Sequence, residues 1–235
     1  MVYCKIREDS EHNVASETVQ AAPWIGWMQQ LVPFSPSVCV AGSVGTWLAE
    51  YGIHGTRPLW HPSDIDVFVM VPTAREYEAV CDAFVDSFAT TFALTTAATT
   101  LRTSVERKYC HILIVRWWVI WNGVEVACPE FSLIHSPSKL RSDVLMEQFD
   151  IDICKVSVHV EHGRLYYCTN SIVYSHIRQR HMHCVLTQDP SFHYPMQKTL
   201  SRISKYAARG FAFKSLTFAP TFSTLQVADF ERVCR

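Results

Sequence analysis

Regular patterning of apolar and polar positions begins at Val38. The run Val38-Cys39-Val40-Ala41 leads into Gly42-Ser43 and then Val44, Trp47, Leu48 and Tyr51 at helical spacing, which predicts a strand, a tight turn and a helix. Gly52, Gly55, Pro58 and Pro62 mark a loop through Ser63, and Asp64 to Val71 returns as a strand. Thr73-Ala74-Arg75-Glu76 is a capping box: the Thr73 hydroxyl can cap the helix while Glu76 reaches back to the Thr73 amide. Tyr77, Val80, Cys81, Phe84 and Phe88 then form the apolar face of that helix.

Further along, His111 to Trp121 has the continuous apolar character of a strand covered on both faces, and Asn122-Gly123 predicts a hairpin into Val124-Glu125-Val126. Ser136-Pro137 can open a helix to about Glu147, Phe149 to Val156 alternates like a strand, and His162-Gly163 suggests a second hairpin. Two helices follow, Ser171 to Arg180 and Gln197 to Arg209, the second closed by Gly210 in a left-handed cap. The expected class is α/β in the broad sense (α+β): a mixed β-sheet core with a C-terminal helical appendage. The organisation expected is a polar lead-in over 1–22, the core over 23–168 and the helical region over 169–235.

Composition narrows the function classes. The 235 residues are 49% hydrophobic with a formal charge of −1, which suits a packed globular chain and argues against a basic coat for stable duplex-DNA binding. The longest apolar run, Ile112 to Trp121, is broken by Arg116 and is half the length of a membrane-crossing helix. With no secretion signal in Met1 to Ser10, the expected location is intracellular, in the cytoplasm. Nine singly scattered cysteines without a CxxC pair are expected to be reduced and mostly buried. Trp117, Trp118 and Trp121 are expected to pack in and beside the buried strand. His181-Met182-His183-Cys184 has no partner cluster at ligand spacing in the sequence.

Four segments carry candidate chemistry. Asp64 and Asp66 stand at i and i+2 on a strand, hence on one face about 6.6 Å apart along the chain. Two neighbouring carboxylates repel unless neutralised, and a hard divalent cation is the usual solution; a pair of solvated acids is the alternative. Gly42-Ser43 precedes a helix whose free amides attract phosphate, although such a dipeptide also serves as an ordinary turn and cap. Phe149-Asp150-Ile151-Asp152-Ile153-Cys154 would place Asp150 and Asp152 on one strand face. Lys198, Arg202, Lys205 and Arg209 fall at spacings of four, three and four, a single helical stripe that is either a cationic wall or a solvated face. Leu200, Ile203 and Ala207 would turn to the core.

The order apolar strand, Gly42-Ser43, helix, loop, Asp64-Ile65-Asp66 and a later acid resembles the polymerase beta-like nucleotidyltransferase superfamily. Phe149-Asp150-Ile151-Asp152-Ile153-Cys154 and the segment from Arg202 to Phe211 resemble a branch found in fungal proteins and large DNA viruses. The likeness spans roughly Val38 to Phe213 and lies in the order of the motifs. It implies a nucleotidyltransferase core in which Asp64 and Asp66 bind Mg2+ or Mn2+, with Asp150 or Asp152 as third catalytic carboxylate and Asp150 favoured. It further implies that Gly42 and Ser43, with Arg202, Lys205 and Arg209, hold a nucleoside triphosphate (NTP). A nucleoside monophosphate would pass to an acceptor hydroxyl on RNA, a protein or a small molecule. The alternative is an inactive relative acting as a nucleotide-binding, structural or viral host-interaction module, found for a virus in the host cytoplasm or virion. The twenty residues between Ser43 and Asp64 exceed the family's usual spacer, so the loop with Trp60 and His61 would be an insertion.

Overall fold

The computed structural model describes residues 2–7, 37–95, 100–109, 111–121, 124–127, 130–137, 142–161, 164–186 and 196–218. These form, in chain order, β1 (Val2–Arg7), β2 (Val38–Ala41), α1 (Ser43–His54), β3 (Asp64–Val69), α2 (Ala74–Thr95), β4 (Thr100–Tyr109), β5 (Ile112–Trp121), β6 (Val124–Ala127) and β7 (Glu130–His135). There follow α3 (Ser142–Met146), a 3-10 turn (Asp152–Cys154), β8 (Ser157–Glu161), β9 (Arg164–Asn170), α4 (Ser171–Gln179), β10 (His181–Leu186), α5 (Met196–Ala208) and β11 (Ala212–Phe218). The main sheet runs β1-β9-β8-β2-β3-β7-β5-β4, with β6 beside β5, and β10 and β11 make a separate parallel pair. Within the main sheet β1–β9 and β3–β7 are parallel and the other pairs antiparallel, so the fold is mixed α+β.

Local chemistry explains the elements at the centre. Every residue of β2 is buried, since this strand lies between β8 and β3 and is covered on both faces. The capping box forms as the sequence implies: the Thr73 amide donates to Glu76 Oε2 at 3.1 Å, and the Glu76 amide donates to Thr73 Oγ1 at 3.2 Å. Tyr77, Cys81, Phe84 and Phe88 of α2 are buried in the core, where Phe88 stacks on Trp117 at 3.8 Å. The core expectation for Trp117 holds; Trp118, half-buried, instead carries Arg102 4.4 Å over its ring, and the Trp121 side chain lies outside the described residues. Cys39, Cys81, Cys154 and Cys184 are buried and Cys168 is half-buried, none of the five in a disulfide.

The two faces of β3 differ. Ile65, Val67 and Val69 point into the large core under α1 and α2, whereas Phe68 joins a smaller cluster with Cys39, Ala41, Leu145 and Met146. Asp64 and Asp66 share the face of Phe68, because side chains alternate along a strand.

Several expectations change. Val2–Arg7, inside the stretch read as a polar lead-in, pairs with β9 through six partners from Val2↔Leu165 to Arg7↔Asn170. Phe149 to Val156 is not a strand: Ile151 makes an isolated bridge to Cys184, and the chain then tightens into the 3-10 turn. The reason is local, since Asp152 Oδ1 accepts the Ile153 amide at 2.8 Å and so satisfies the backbone in a turn rather than a ladder. The C-terminal third contains the β10–β11 pair as well as α4 and α5. The helix expected from Ser136 is helical over Ser142–Met146. The turn residues Asn122-Gly123 and His162-Gly163 lie outside the described residues, although the strands they would join do pair antiparallel. Among the described residues, no helix is long and apolar enough to cross a membrane.

Candidate functional site

The site is built where β2 turns into α1 against β3. Ala41 pairs with Asp66, so the turn that follows lies directly against that acid. Gly42 there has φ 74° and ψ −133°, a conformation that L side chains rarely adopt. A Cβ at this position would stand 3.4 Å from Asp66 Oδ2. Glycine is therefore favoured by the backbone conformation, and a side chain there would sit in contact with the carboxylate. Ser43 is the first residue of α1 and is buried.

On its other edge β3 pairs with β7 in parallel, placing Asp64 beside Glu130 and Asp66 beside Ser132. Phe131 and Leu133 are buried in the main core, so Glu130 and Ser132 lie on the face that carries the aspartates. Glu130 Oε2 accepts from Arg116 Nε at 2.6 Å. Burial first, and then the neighbouring Asp64 charge, push the Asp66 carboxyl up to about 7; Arg202 and Lys205 pull it down and Glu130 adds to the rise. Ser63 Oγ donates to Asp64 Oδ1 at 2.8 Å, and Lys205 Nζ donates to Ser63 Oγ at 3.2 Å while lying 3.8 Å from Asp64 Oδ1.

The two later aspartates part company. Asp150 is buried and faces the same space as Asp64 and Asp66; its Oδ2 accepts from Thr199 Oγ1 at 2.6 Å and its Oδ1 from Arg202 Nη1 at 2.9 Å. Asp152 turns the other way, with Oδ2 2.5 Å from His176 Nδ1 and Oδ1 accepting the His183 amide at 2.8 Å. The expectation that both project from one strand face fails because the segment is a turn. Asp152, the alternative to Asp150 as third carboxylate, lies outside the cavity that holds the other acids.

Helix α5 closes the opposite side. Lys198, Arg202 and Lys205 line the cavity, but Arg209 does not: its guanidinium lies 4.0 Å over Trp60 and 5.0 Å from the Tyr206 ring. The buried residues of α5 are Thr199 and Tyr206, with Leu200 and Ile203 half-buried and Ala207 exposed, so the face inward is rotated from the one expected. Helix α1 takes up 44–54 of the twenty residues between Ser43 and Asp64, and the loop that remains, 55–63, is tied down. Trp47 Nε1 donates to the Trp60 carbonyl at 2.7 Å, and Trp60 Nε1 donates to Glu50 Oε2 at 2.9 Å. The Glu50 side chain is 1% exposed and pairs with Arg180 at 2.5 Å. Trp60 thus links α1 to Arg209 and Tyr206 of α5 and its end.

The resulting cavity holds about 350 Å³. Gly42, Ser43, Asp64, Asp66, Asp150, Arg202 and Lys205 all reach it, which unites seven of the nine residues to which the resemblance gives a role and leaves out Asp152 and Arg209. Phe68, Ile112, Ile114, Ile134 and Phe149 supply an apolar wall, and Lys108 and Tyr109 stand at the end of β4. Glu130 was missed by sequence reasoning, although the alternation Glu130-Phe131-Ser132-Leu133 carries its signal.

The donor set fits a hard divalent cation. Asp64 and Asp66 offer oxygen ligands, and burial first and the Asp64 charge second raise the Asp66 carboxyl, an environment in which a bound cation would favour its ionised form. Compared with known proteins, the chain matches no protein-family model and no curated protein.

Proposed function

We propose that the protein is a metal-dependent nucleotidyltransferase of the polymerase beta-like kind, moving a nucleoside monophosphate from an NTP to an acceptor hydroxyl. One observation carries the reading. Two strand carboxylates, one of them unfavourably charged, face a glycine-opened helix N-terminus and a cationic helix face across a single nucleotide-sized cavity.

Asp64 and Asp66 would hold Mg2+ or Mn2+, with Glu130 in register beside them as a further oxygen donor. When bound, the metal neutralises phosphate charge and lowers the pKa of the attacking oxygen. The chain supplies the rest. The α1 amides from Ser43 onward, freed of partners at the helix start, donate to phosphate oxygens. Lys198, Lys205 and Arg202 line the opposite side and offset the charge of the pyrophosphate that leaves. Asp150 fixes Arg202 from below and so acts as a positioning residue for that cation. The apolar wall at Phe68, Ile134 and Phe149 suits the flat face of a base. A cation bound there would favour the ionised form of Asp66, whose carboxyl is raised first by burial and then by the Asp64 charge.

A nucleotide-binding module without turnover is the second reading, favoured by the engagement of both Asp150 oxygens with Thr199 and Arg202. The test is transfer of label from each NTP carrying a labelled α-phosphate, with Mg2+ or Mn2+, to RNA, protein and small polyol acceptors. Label transfer with pyrophosphate release, lost in Asp64→Asn, supports the enzyme. Metal-dependent binding without transfer to any acceptor supports the module, and absence of both overturns the nucleotide site.

A further inference from the structure

We infer a second metal site, for zinc or a similar borderline transition-metal ion, formed by Asp152, His176 and His183. It is separate from the cavity and does not depend on the nucleotide reading. One ligand atom from each of the three side chains lies within 4.8 Å of the other two, and among the described residues this is the group of three or more such side chains that meets so closely. The donors come from three elements: the 3-10 turn, α4 and β10. Of the two histidines in His181-Met182-His183, His183 alone joins the group, together with His176 from the preceding helix and Asp152 from the 3-10 turn.

Asp152 and His183 are held by contacts that leave a ligand atom over, while His176 Nδ1 meets Asp152 Oδ2 directly. Asp152 Oδ1 accepts the Ile153 and His183 amides, both at 2.8 Å, which directs Oδ2 toward the imidazoles. His183 Nδ1 lies 2.7 Å from Ser215 Oγ of β11, leaving Nε2 for an ion. Such outer contacts are what fix the tautomer and ring orientation of metal-binding histidines. The His176 and His183 rings lie side by side, 4.2 Å apart and 28° from parallel. Asp152 is 10% exposed and His176 23%, so the group is sheltered yet open to a water as fourth ligand. Two imidazole nitrogens and one carboxylate oxygen with an open position is a donor set that zinc favours and magnesium does not. His176 Nδ1 and Asp152 Oδ2 are 2.5 Å apart, whereas two donors on one tetrahedral zinc stand about 3.3 Å apart, given bonds near 2.0 Å. An ion would replace that contact, opening the pair by about 0.8 Å.

The ion would staple the turn after Asp150 to α4 and to the β10–β11 pair. The Val185 amide of β10 already donates to the Asp150 carbonyl at 2.8 Å, so the staple braces the segment that carries Asp150 into the cavity.

The test uses the full chain, stripped with chelator, dialysed against zinc and assayed by elemental analysis, with cobalt(II) absorption as a second probe. One zinc per chain is expected, with a Tm rise of roughly 5–10 °C at zinc a hundredfold above its Kd. Affinity should fall roughly 100-fold or more in His176→Gln and His183→Gln, because even outer-shell losses cost ~10–100-fold, and stay unchanged in Asp64→Asn/Asp66→Asn. If His183→Gln fails to fold, His176→Gln decides. Folded wild type without stoichiometric zinc, zinc retained in folded His176→Gln, or a cobalt spectrum with thiolate charge-transfer bands would each overturn the site.

Discussion

Replacing Asp66 by Asn should stabilise the metal-free protein, and the gain should grow with pH. The carboxyl rises from 3.8 to about 7 because it is buried beside Asp64. A carboxyl that holds its proton more tightly when folded loses stability as pH rises through that interval: the folded state binds a proton that the unfolded state has released. At about 1.4 kcal/mol per pH unit, ionising Asp66 above pH 7 costs up to about 4 kcal/mol. Relaxation and water entry around a residue that is not fully enclosed reduce this to about 2–4 kcal/mol. Asn keeps the shape and removes the charge. In urea titrations without divalent cations, Asp66→Asn should therefore equal wild type near pH 4 and exceed it by about 2–4 kcal/mol at pH 8. Millimolar Mg2+ should narrow the gap at pH 8 by stabilising wild type alone. A variant equal to or weaker than wild type at pH 8 would refute the premise that Asp66 carries uncompensated charge.

Other predictions probe the frame around the cavity. Arg202→Ala should cost about 3 kcal/mol in urea denaturation, because it leaves the 6%-exposed Asp150 charge without its cation; adding Asp150→Asn should recover most of the loss, and a loss under about 1 kcal/mol would contradict the pairing. Gly45→Ala would bring a Cβ within 2.3 Å of the Val156 carbonyl oxygen, and the overpacking should cost about 1–3 kcal/mol, seen as a Tm drop of roughly 2–12 °C. An unchanged Tm would show that α1 does not press on the chain before β8.

Short-range features were legible in the sequence because each is encoded in adjacent residues. The turn at Gly42, the capping box at Thr73 and Glu76, and the two acids of β3 needed only local spacing. Features that depend on distant partners were not. The alternation Phe149-Asp150-Ile151-Asp152 suits a strand as well as a turn, and what decides is the Asp152 side chain bonding the Ile153 amide and meeting His176 and His183. β1 finds β9 more than 150 residues away, and the parallel β10–β11 pair encloses α5 between its strands; hydrophobic period carries no record of either pairing. Arg209 belonged to the stripe by spacing, yet Trp60 from another loop captured it. Glu130 was hidden for the converse reason: its own strand is readable, but its place beside Asp64 is set by the parallel register of β7 on β3.

The central claim is that Asp64 and Asp66 form a metal-dependent nucleotide site. Calorimetric titration of each NTP into the full chain, with and without Mg2+ or Mn2+, tests it most directly when wild type is compared with Asp64→Ala/Asp66→Ala. The account predicts binding that requires the metal and disappears in the double variant while its fold persists. Absence of NTP binding by folded wild type, or binding that survives in the variant, would contradict it.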